Sequence, residues 1–303
     1  MTKAPKDVGA SVRARLLHLA RERGDDFQLL LTRYANERLL YRLTRSRHHG
    51  SFILKGATLF TLWTGHPHRA TRDVDLLGVG DPSQDRLRNI FAEVIALDVG
   101  DDGVVFDAGS LAVGPIREDQ EYGGVRVEVF ARVTAARVRL QVDVGFGDAI
   151  TPEPVQMELP VLLDFPTPHL LVYPRETVVA EKLDAIVQLG TTNSRMKDFY
   201  DLAVLARRFE FDGTLLVRAI RATFERRKTP LPMALPIGLT SEFAADPSKT
   251  TQWTAFVRKT GVRDASDLPA TITAIVAFAA APLTAAARES PFACHRPPGG
   301  PWT

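Results

Sequence analysis

Two aspartates separated by one residue, Asp73 and Asp75, are the side chains whose type and spacing best suit chemistry. In a β-strand successive side chains point to opposite faces, so residues i and i+2 project from the same side. Two carboxylates held this close repel each other, and a divalent cation between them relieves the repulsion. The pair therefore indicates a metal site, although most isolated Asp-x-Asp pairs are solvated turn residues or helix caps.

A glycine turn lies one short helix before this acidic pair. The sequence predicts a strand over residues 52–54, a turn at Lys55-Gly56 and a short apolar helix after it. Glycine lets the backbone approach a phosphate closely, and the free N–H groups at the start of a helix attract anions. This order of elements, a strand, a glycine turn and a helix before an acidic strand, thus indicates a site for a phosphate-bearing ligand.

A third acid, Asp143, lies between Val142 and Val144 in a run that reads as the interior of a strand. An isolated buried charge is costly, so Asp143 needs a cation. That cation is either an arginine of the neighbouring predicted strand, which gives a structural salt bridge, or a metal shared with Asp73 and Asp75. Three carboxylates beside a glycine turn fit phosphoryl or nucleotidyl transfer assisted by two Mg²⁺ ions.

Cationic side chains that could offset phosphate charge occur in two predicted helices of the second half of the chain. They are Lys182, Arg195 and Lys197, and transferred phosphoryl groups are commonly held by such cations. The alternative is ordinary helix salt bridging with neighbours such as Glu181 or Asp201. Exposed pairs of that kind contribute only about 0.3–0.5 kcal/mol each.

Composition excludes several classes of protein. The 303 residues are 45% hydrophobic and 24% charged, which is ordinary for a globular protein of one large or two modest domains. A net charge of +2 argues against a uniformly basic nucleic-acid coat and leaves a local basic groove open. The single Cys294 excludes an internal disulfide framework and a cysteine zinc site. Because the N-terminus lacks the apolar core of a signal peptide, we expect a cytoplasmic protein.

Periodicity divides the chain into two parts. Helices are expected at 9–23, 27–45 and 82–96, and strands at 104–113, 125–133 and 138–145. A proline-rich stretch, 151–174, reads as a domain connection. We therefore expect a first domain over 1–165, a helical domain over 166–288 and a disordered tail over 289–303. The apolar segment 268–287 has the length of a membrane span, but its alanines, threonines and two prolines favour a packed helix and no membrane contact.

Five short motifs, in order along the chain, resemble those of the AbiEii/AbiGii family of nucleotidyltransferase toxins from bacterial toxin–antitoxin systems, which includes the MenT-like toxins. They are Lys55-Gly56, Arg72-Asp73-Val74-Asp75, residues 142–148 (VDVGFGD), Ala180-Glu181-Lys182-Leu183 and residues 195–201 (RMKDFYD). The resemblance runs from about residue 25 to residue 209. It implies an α/β (α+β) fold, with a DNA polymerase β-like nucleotidyltransferase core and mixed sheet, followed by an all-helical C-terminal lobe.

The resemblance also implies roles for individual residues. Asp73 and Asp75 match the metal-binding pair, and Asp143 matches the third carboxylate of a site for two Mg²⁺ ions. Lys182 matches a helix lysine that contacts the triphosphate. Asp198 matches an acid that orients this lysine or acts as a general base.

The nucleotide-binding set implied for this chain adds Lys55, Gly56, Thr58, Arg195 and Lys197. In one place the chain departs from the family pattern. An alanine stands at position 57, where a second glycine is usual, and this puts the phosphate contact of Thr58 in question.

The function implied is transfer of a nucleoside monophosphate from an NTP to the 3′ end of tRNA, which blocks aminoacylation and translation, with a cognate antitoxin as partner. One alternative keeps the chemistry and changes the acceptor to a hydroxyl of a protein or small molecule. Another is a non-catalytic module that binds nucleic acid or an antitoxin through a degenerate site. Thr71, two residues before Asp73, is a hypothetical regulatory phosphorylation site, because a phosphate there would compete with the triphosphate.

Overall fold

The computed structural model describes residues 7–116, 124–262 and 264–303. Its helices are α1 (Val8–Arg23), α2 (Phe27–Arg45), α3 (Thr58–Thr64), α4 (Gln84–Ala96), α5 (Arg175–Leu189), α6 (Met196–Arg208), α7 (Gly213–Arg226), α8 (Ser241–Ala245), α9 (Pro247–Thr260) and α10 (Leu268–Ala287). Its strands are β1 (Phe52–Lys55), β2 (Val74–Gly78), β3 (Val105–Pro115), β4 (Val125–Val133), β5 (Ala136–Phe146), β6 (Val155–Glu158), β7 (His169–Val172), β8 (Phe211–Asp212) and β9 (His295–Arg296).

The chain divides into two compact units. The first comprises residues 1–147 and 155–172, and the second comprises 148–154 and 173–303. The division therefore falls at 172/173 rather than at the expected 165/166. In addition, a short segment before β6 belongs to the second unit.

The first unit is built on a seven-stranded mixed sheet with the strand order β3-β4-β5-β2-β1-β7-β6. Strands β3, β4 and β5 form an antiparallel meander, and β5 runs parallel to β2. Next, β1 pairs antiparallel with β2 and parallel with β7. The centre of the sheet thus brings together the two strands that carry the predicted acids.

Strict alternation in β4 and β5 explains how the sheet packs. Residues 125, 127, 129, 131 and 133 of β4, four valines and an alanine, are buried, and the side chains between them are partly or fully exposed. Helices α1, α2 and α4 contact the strands of this sheet and cover the apolar face, which gains stability by removing that surface from water. The polar face carries the candidate site.

A glycine ends the first helix and an aspartate caps the second, as their sequences favour. Gly24 adopts a left-handed conformation, with φ of 69°, and ends α1, as glycine does most readily. The Asp26 side chain accepts a hydrogen bond from the Leu29 amide at 2.7 Å and caps α2.

The proline-rich segment 151–174 differs from the expected domain connection, because it contributes β6 and β7 to the first sheet. Strand β7 pairs through Leu171 and Val172 with Ile53 and Leu54 of β1, and β6 pairs with β7. Each of these strands has four residues, which is too short for a periodic signal to stand out among prolines.

The second unit is helical, as expected, apart from the two-residue strands β8 and β9. The expected disorder of residues 289–303 is wrong. Strand β9 pairs with β8, and the indole of Trp302 donates a hydrogen bond to the Phe278 carbonyl at 2.8 Å. Arg296 is buried and donates to the Ala206 carbonyl at 2.5 Å. Two anchoring side chains order this tail in spite of its proline and glycine content.

Among the described residues, one helix, α10, is long and apolar enough to cross a membrane by length and composition. Half of its most apolar window is buried inside the protein, and α10 packs on α6 and α7. This packing is what we expected of segment 268–287. The predicted fold class, a mixed α/β core followed by a helical region, is confirmed.

Candidate active site

Three predicted site residues of the first unit, Lys55, Asp75 and Asp143, lie in one row across neighbouring strands, and Arg126 extends the row to a fourth strand. Lys55 of β1 lies in register with Asp75 of β2, Asp75 lies in register with Asp143 of β5, and Asp143 lies in register with Arg126 of β4. Since residues in register share a face and neighbouring strands are about 4.8 Å apart, the two carboxylates are adjacent. A cation flanks them on each side, so the row is balanced in charge.

Arg126 holds Asp143 with two charge-assisted hydrogen bonds. Its Nε and Nη2 donate to Oδ1 and Oδ2 of Asp143, both at 2.8 Å, in the fork geometry that makes such pairs strong. The Gln141 amide also donates to both oxygens, at 3.3 and 3.2 Å. These bonds to Asp143, together with the charges of Asp143, Asp73 and Glu128, raise the pKa of Arg126 despite partial burial.

The salt bridge from Asp143 to an arginine of the neighbouring strand, one of the two interpretations open at the outset, is therefore observed. Among the described residues, no group of three or more histidine, cysteine, aspartate or glutamate side chains is placed to hold a metal. In this structure Asp143 is held by Arg126, and the expected centre for two Mg²⁺ ions on Asp73, Asp75 and Asp143 stays a prediction. Hard oxygen ligands remain at Asp73 and Asp75, and this pair fits one divalent cation.

Asp73 and Asp75 differ in their surroundings. Asp73 lies one residue before β2 and is exposed, whereas Asp75 lies within the strand and is half-buried. Both have further interactions with their neighbours. The Thr71 hydroxyl donates to the backbone carbonyl of Asp73 at 3.5 Å, so a phosphate on Thr71 would lie at the start of β2.

The glycine turn lies directly against this acidic pair. Gly56 has φ of +75°, a conformation that other residues rarely adopt, and a Cβ atom at this position would collide with the Asp75 carboxylate. Two independent requirements thus select glycine here. The turn brings the backbone of residue 56 next to the carboxylate predicted to bind the metal.

Helix α3 follows the turn and begins at Thr58, with Ala57 in the capping position and no side-chain cap. Thr58 is half-buried. The helix has seven residues, so its dipole is weak and a phosphate contact by Thr58 stays a prediction.

Three predicted residues of the second unit, Lys182, Arg195 and Asp198, form a buried ion cluster with Asp201. Lys182 of α5 donates to Asp198 Oδ1 at 2.7 Å and to Asp201 Oδ2 at 2.8 Å. Arg195 donates from Nε to Asp198 Oδ2 at 2.7 Å. The carboxylates of Asp198 and Asp201 are almost wholly buried. Lys182 thus pairs across helices, rather than with a neighbour along its own exposed helix face.

The electrostatics of this cluster favour its charged form. Burial alone would raise the pKa of Asp198, but the charges of Lys182 and Arg195 outweigh it and lower that pKa. Burial would likewise lower the pKa of Lys182, and the charges of Asp198 and Asp201 raise it instead. A carboxylate held by two cations is a poor proton acceptor, so the geometry supports the orienting role of Asp198 over a general-base role.

An ammonium group has three donors, and the two carboxylates use two of those on Lys182. One donor therefore remains to meet an anion. Lys197 is exposed. Its positive charge lowers the pKa of Asp198 by less than the charges of Lys182 and Arg195 do.

Sequence reasoning left out two residues that the structure brings into these groups, Arg126 and Arg227. Arg126 was not singled out among the arginines of β4 and β5. Asp201 was named as a possible salt-bridge partner, and the structure pairs it with Lys182. Arg227 at the end of α7 had no local signal at all.

Arg227 gathers three acids of the second unit. It contacts Asp148 Oδ1 at 3.1 Å, Glu181 Oε1 at 3.2 Å and Asp184 Oδ2 at 3.0 Å. These charges outweigh burial and raise its pKa. The cluster links α5, α7 and the segment before β6, so Glu181 has a structural partner other than Lys182.

Comparison with solved structures shows the same fold. JHP933 from Helicobacter pylori superposes with a TM-score of 0.50 at 15% identity, over 87% of this chain and 94% of that one. A second H. pylori structure, of a protein assigned as a nucleotidyltransferase, gives 0.49 at 15% identity, over 87% of this chain and 96% of that one. No curated protein sequence matches the chain.

A family model places the chain more specifically. The model described as "Nucleotidyl transferase AbiEii toxin, Type IV TA system" matches residues 38–275, which is well over half of the sequence and includes every predicted site residue. The chain belongs to the AbiEii family of nucleotidyl transferase toxins from type IV toxin–antitoxin systems.

Proposed function

We propose that the chain transfers a nucleoside monophosphate from an NTP to the 3′-hydroxyl of tRNA, and so blocks aminoacylation and translation in the cytoplasm. The observation that carries this proposal is the row Lys55, Asp75, Asp143 and Arg126, with the Gly56 turn against Asp75. Two adjacent carboxylates beside a glycine turn suit a divalent cation that holds a phosphate group close to the backbone.

The reaction requires an in-line displacement. The ribose oxygen forms a bond to the α-phosphorus, the bond from that phosphorus to the bridging oxygen breaks, and pyrophosphate leaves with the electron pair. The hydroxyl proton passes to a base or to water. Catalysis of this kind rests mainly on position and charge, since the protein makes no covalent bond.

Several residues of the chain have definite tasks in this scheme. Asp73 and Asp75 would hold one divalent cation, Mg²⁺ in the cell, which when bound neutralises phosphate charge. Lys55 extends from the strand that leads into the glycine turn and adds a positive charge. Asp143 is fixed by Arg126 and Gln141, so it can orient a neighbouring hydroxyl without rotating.

The test combines purified protein, total tRNA, Mg²⁺ and each of the four α-labelled NTPs in turn. We expect label in RNA with the wild type and at least a 10²-fold loss with Asp73→Ala, because removing a charged ligand at a phosphoryl-transfer site removes several kcal/mol of transition-state stabilisation. The matched control is Asp85→Ala, an exposed acid in α4, which should label tRNA like the wild type.

Fractionation of the products separates the alternatives. Label in protein or in a small molecule, and none in RNA, would change the acceptor and keep the chemistry. Full transfer by Asp73→Ala would remove the catalytic assignment of the acidic pair.

One observation favours a second function, a non-catalytic module that binds nucleic acid or antitoxin. In the row, the positive charges of Lys55 and Arg126 balance the negative charges of Asp75 and Asp143 without a metal. Such a balance is expected of a site that no longer catalyses a reaction. Calorimetry with NTP in the presence and absence of Mg²⁺ distinguishes the two. Metal-dependent NTP binding supports the enzyme, and its absence together with no labelled product supports the binding module.

A further inference from the structure

The polar face of the β4–β5 hairpin continues outward from the acidic row as a series of cross-strand pairs. After Arg126–Asp143 come Glu128–Gln141, Phe130–Arg139 and Arg132–Arg137, in that order toward the turn. All eight side chains share one face, because each lies two positions from the last. Arg137 and Asp143 are six positions apart along β5, which corresponds to about 20 Å.

The outer end of this face is basic and open to solvent. Arg132, Arg137 and Arg139 are exposed. Glu128 is bonded to Arg139, and Asp107 of the edge strand lies opposite Phe130. In the part of the chain that the structure describes, neither Arg132 nor Arg137 has an ion pair. We call Phe130, Arg132, Arg137 and Arg139 the arginine face.

An aromatic ring is built into this polar surface. Phe130 is only half-buried, and the Arg137 guanidinium lies over its ring at 3.6 Å from the centroid. Val105 of β3, in register with Arg132, is 59% exposed beside them. A guanidinium plane stacked on an aromatic ring offers a flat, positively charged surface on which a nucleobase can stack.

We infer that the arginine face binds the RNA acceptor, with the backbone of its 3′-terminal strand running along the β4–β5 hairpin toward Asp143 and Asp75. The inference rests on the proposed function and adds the surface that holds the polynucleotide. Arg132 and Arg137 meet phosphates, and a base stacks on the Phe130–Arg137 pair.

Charge and shape favour RNA over an acidic protein as the occupant. An acidic protein would use only the arginines of this face. An RNA strand would also use the stacking surface, and its 3′ end would reach the carboxylates of the candidate site. A second basic cluster of this unit, over residues 42–49, is less suited to a polyanion. Arg42 is buried against Asp102 at 2.6 Å, and Arg47 and His48 both pair with Glu93.

The test measures binding of an RNA hairpin with a single-stranded 3′ end by fluorescence anisotropy over a range of NaCl concentrations. Arg132→Ala/Arg137→Ala should weaken binding about tenfold or more near 0.1 M salt. It should also reduce the slope of log affinity against log salt by about 1.4, or 0.7 for each phosphate contact. Phe130→Ala should weaken binding about tenfold and leave the slope unchanged, since stacking releases no counterions.

The matched control is Arg45→Ala/Arg88→Ala, which removes two exposed arginines of the same unit at helices α2 and α4. In the transfer assay, the Arg132→Ala/Arg137→Ala variant should raise KM for RNA and leave NTP binding unchanged. Equal losses in the control and test variants would show a net-charge effect and overturn the inference.

Two further outcomes separate this inference from the proposed function. A wild-type protein that labels RNA, beside a double variant that binds and labels it equally well, would overturn the arginine face and leave the function standing. A wild-type protein that neither binds nor labels any RNA would overturn the function itself, and the RNA surface with it.

Discussion

At the scale of single residues, the clearest case is Lys182, whose ammonium group meets two carboxylates in a buried setting. Its partners Asp198 and Asp201 are 2.7 and 2.8 Å away. Removing one member of such a group leaves an uncompensated charge, which costs more than the intact pair contributes. The lysine is therefore essential to the second unit whether or not it also meets a triphosphate.

We predict that Lys182→Met lowers the free energy of unfolding by about 3–5 kcal/mol at neutral pH. Lys197→Met, at an exposed position two residues from Arg195, should change it by no more than about 0.5 kcal/mol. Urea unfolding followed by circular dichroism gives both values.

The same comparison at lower pH checks the cause. The pKa of Asp198 is lowered in the folded protein, so its contribution to stability is present above its unfolded pKa and is lost as pH falls through the folded value. The deficit of Lys182→Met should shrink over that acid range, because a protonated Asp198 no longer needs the lysine. A deficit independent of pH would assign the loss to packing.

At the scale of elements, the β4–β5 hairpin contributes one face to the hydrophobic core and the other face to the candidate active site. Its valines fill the core, and Arg126 and Asp143 face the other way. Because the register is fixed by the buried valines, the arginine is held opposite the acid. The pairing of these two charges is thus a consequence of the apolar pattern.

We predict that Arg126→Ala increases the number of divalent ions the protein binds. Without the guanidinium, Asp143 loses its arginine partner but stays adjacent to Asp75, and a metal ion becomes the favoured counter-charge. Calorimetry with Mn²⁺ should give one site for the wild type and a second for the variant. The control, Arg132→Ala on the same strand, should bind metal like the wild type.

Unchanged stoichiometry in Arg126→Ala would mean that Asp143 does not bind metal in either state. Two sites in the wild type would restore the expectation of two Mg²⁺ ions and show that Arg126 yields to the second.

How far the sequence predicts this fold depends on the length of the local signal. The hairpin turn and the strands β4 and β5 follow from nine or more residues of alternation, and Gly24 marks the end of α1. The four-residue strands β6 and β7 carry too little pattern, and their place in the sheet depends on pairing with β1 across more than a hundred residues of chain.

The site follows the same rule. Asp73, Asp75 and Gly56 are close in sequence and could be identified from spacing and type. The pairing of Arg126 with Asp143 requires the register of two strands, so the sequence left both an arginine and a metal open as the partner of Asp143. Arg227 joins three acids from two separate segments, α5 and the stretch before β6, and no spacing in the sequence indicates this cluster.

At the scale of the whole molecule, the ordered C-terminus closes the second unit. Trp302 stacks at 6.2 Å from Phe278 and packs edge-on against Phe292 at 5.0 Å. These contacts, with the pairing of β9 to β8, cover the buried ring of Phe278. The last residues therefore form part of the core of this unit.

We predict that deleting residues 291–303 lowers the melting temperature by about 5–10 °C. The deletion exposes large aromatic side chains to water, which costs several kcal/mol of stability, and each kcal/mol lost lowers the melting temperature by a few degrees. Met233→Ser, at a side chain that is 72% exposed, should leave the temperature unchanged and serves as control. A deletion variant that melts like the wild type would contradict the role of the tail.

The path of the chain has a consequence for how the protein is made. Residues 148–154 belong to the second unit, while β7, which ends at Val172, belongs to the first. Until residue 172 has been synthesised, β1 lacks its neighbour β7. The turn at Lys55-Gly56 then lies at an unpaired sheet edge, which can pair with other chains. A growing or truncated polypeptide that stops at Gly147 thus carries all three acids but lacks β6 and β7, so the sheet that positions the acids is incomplete.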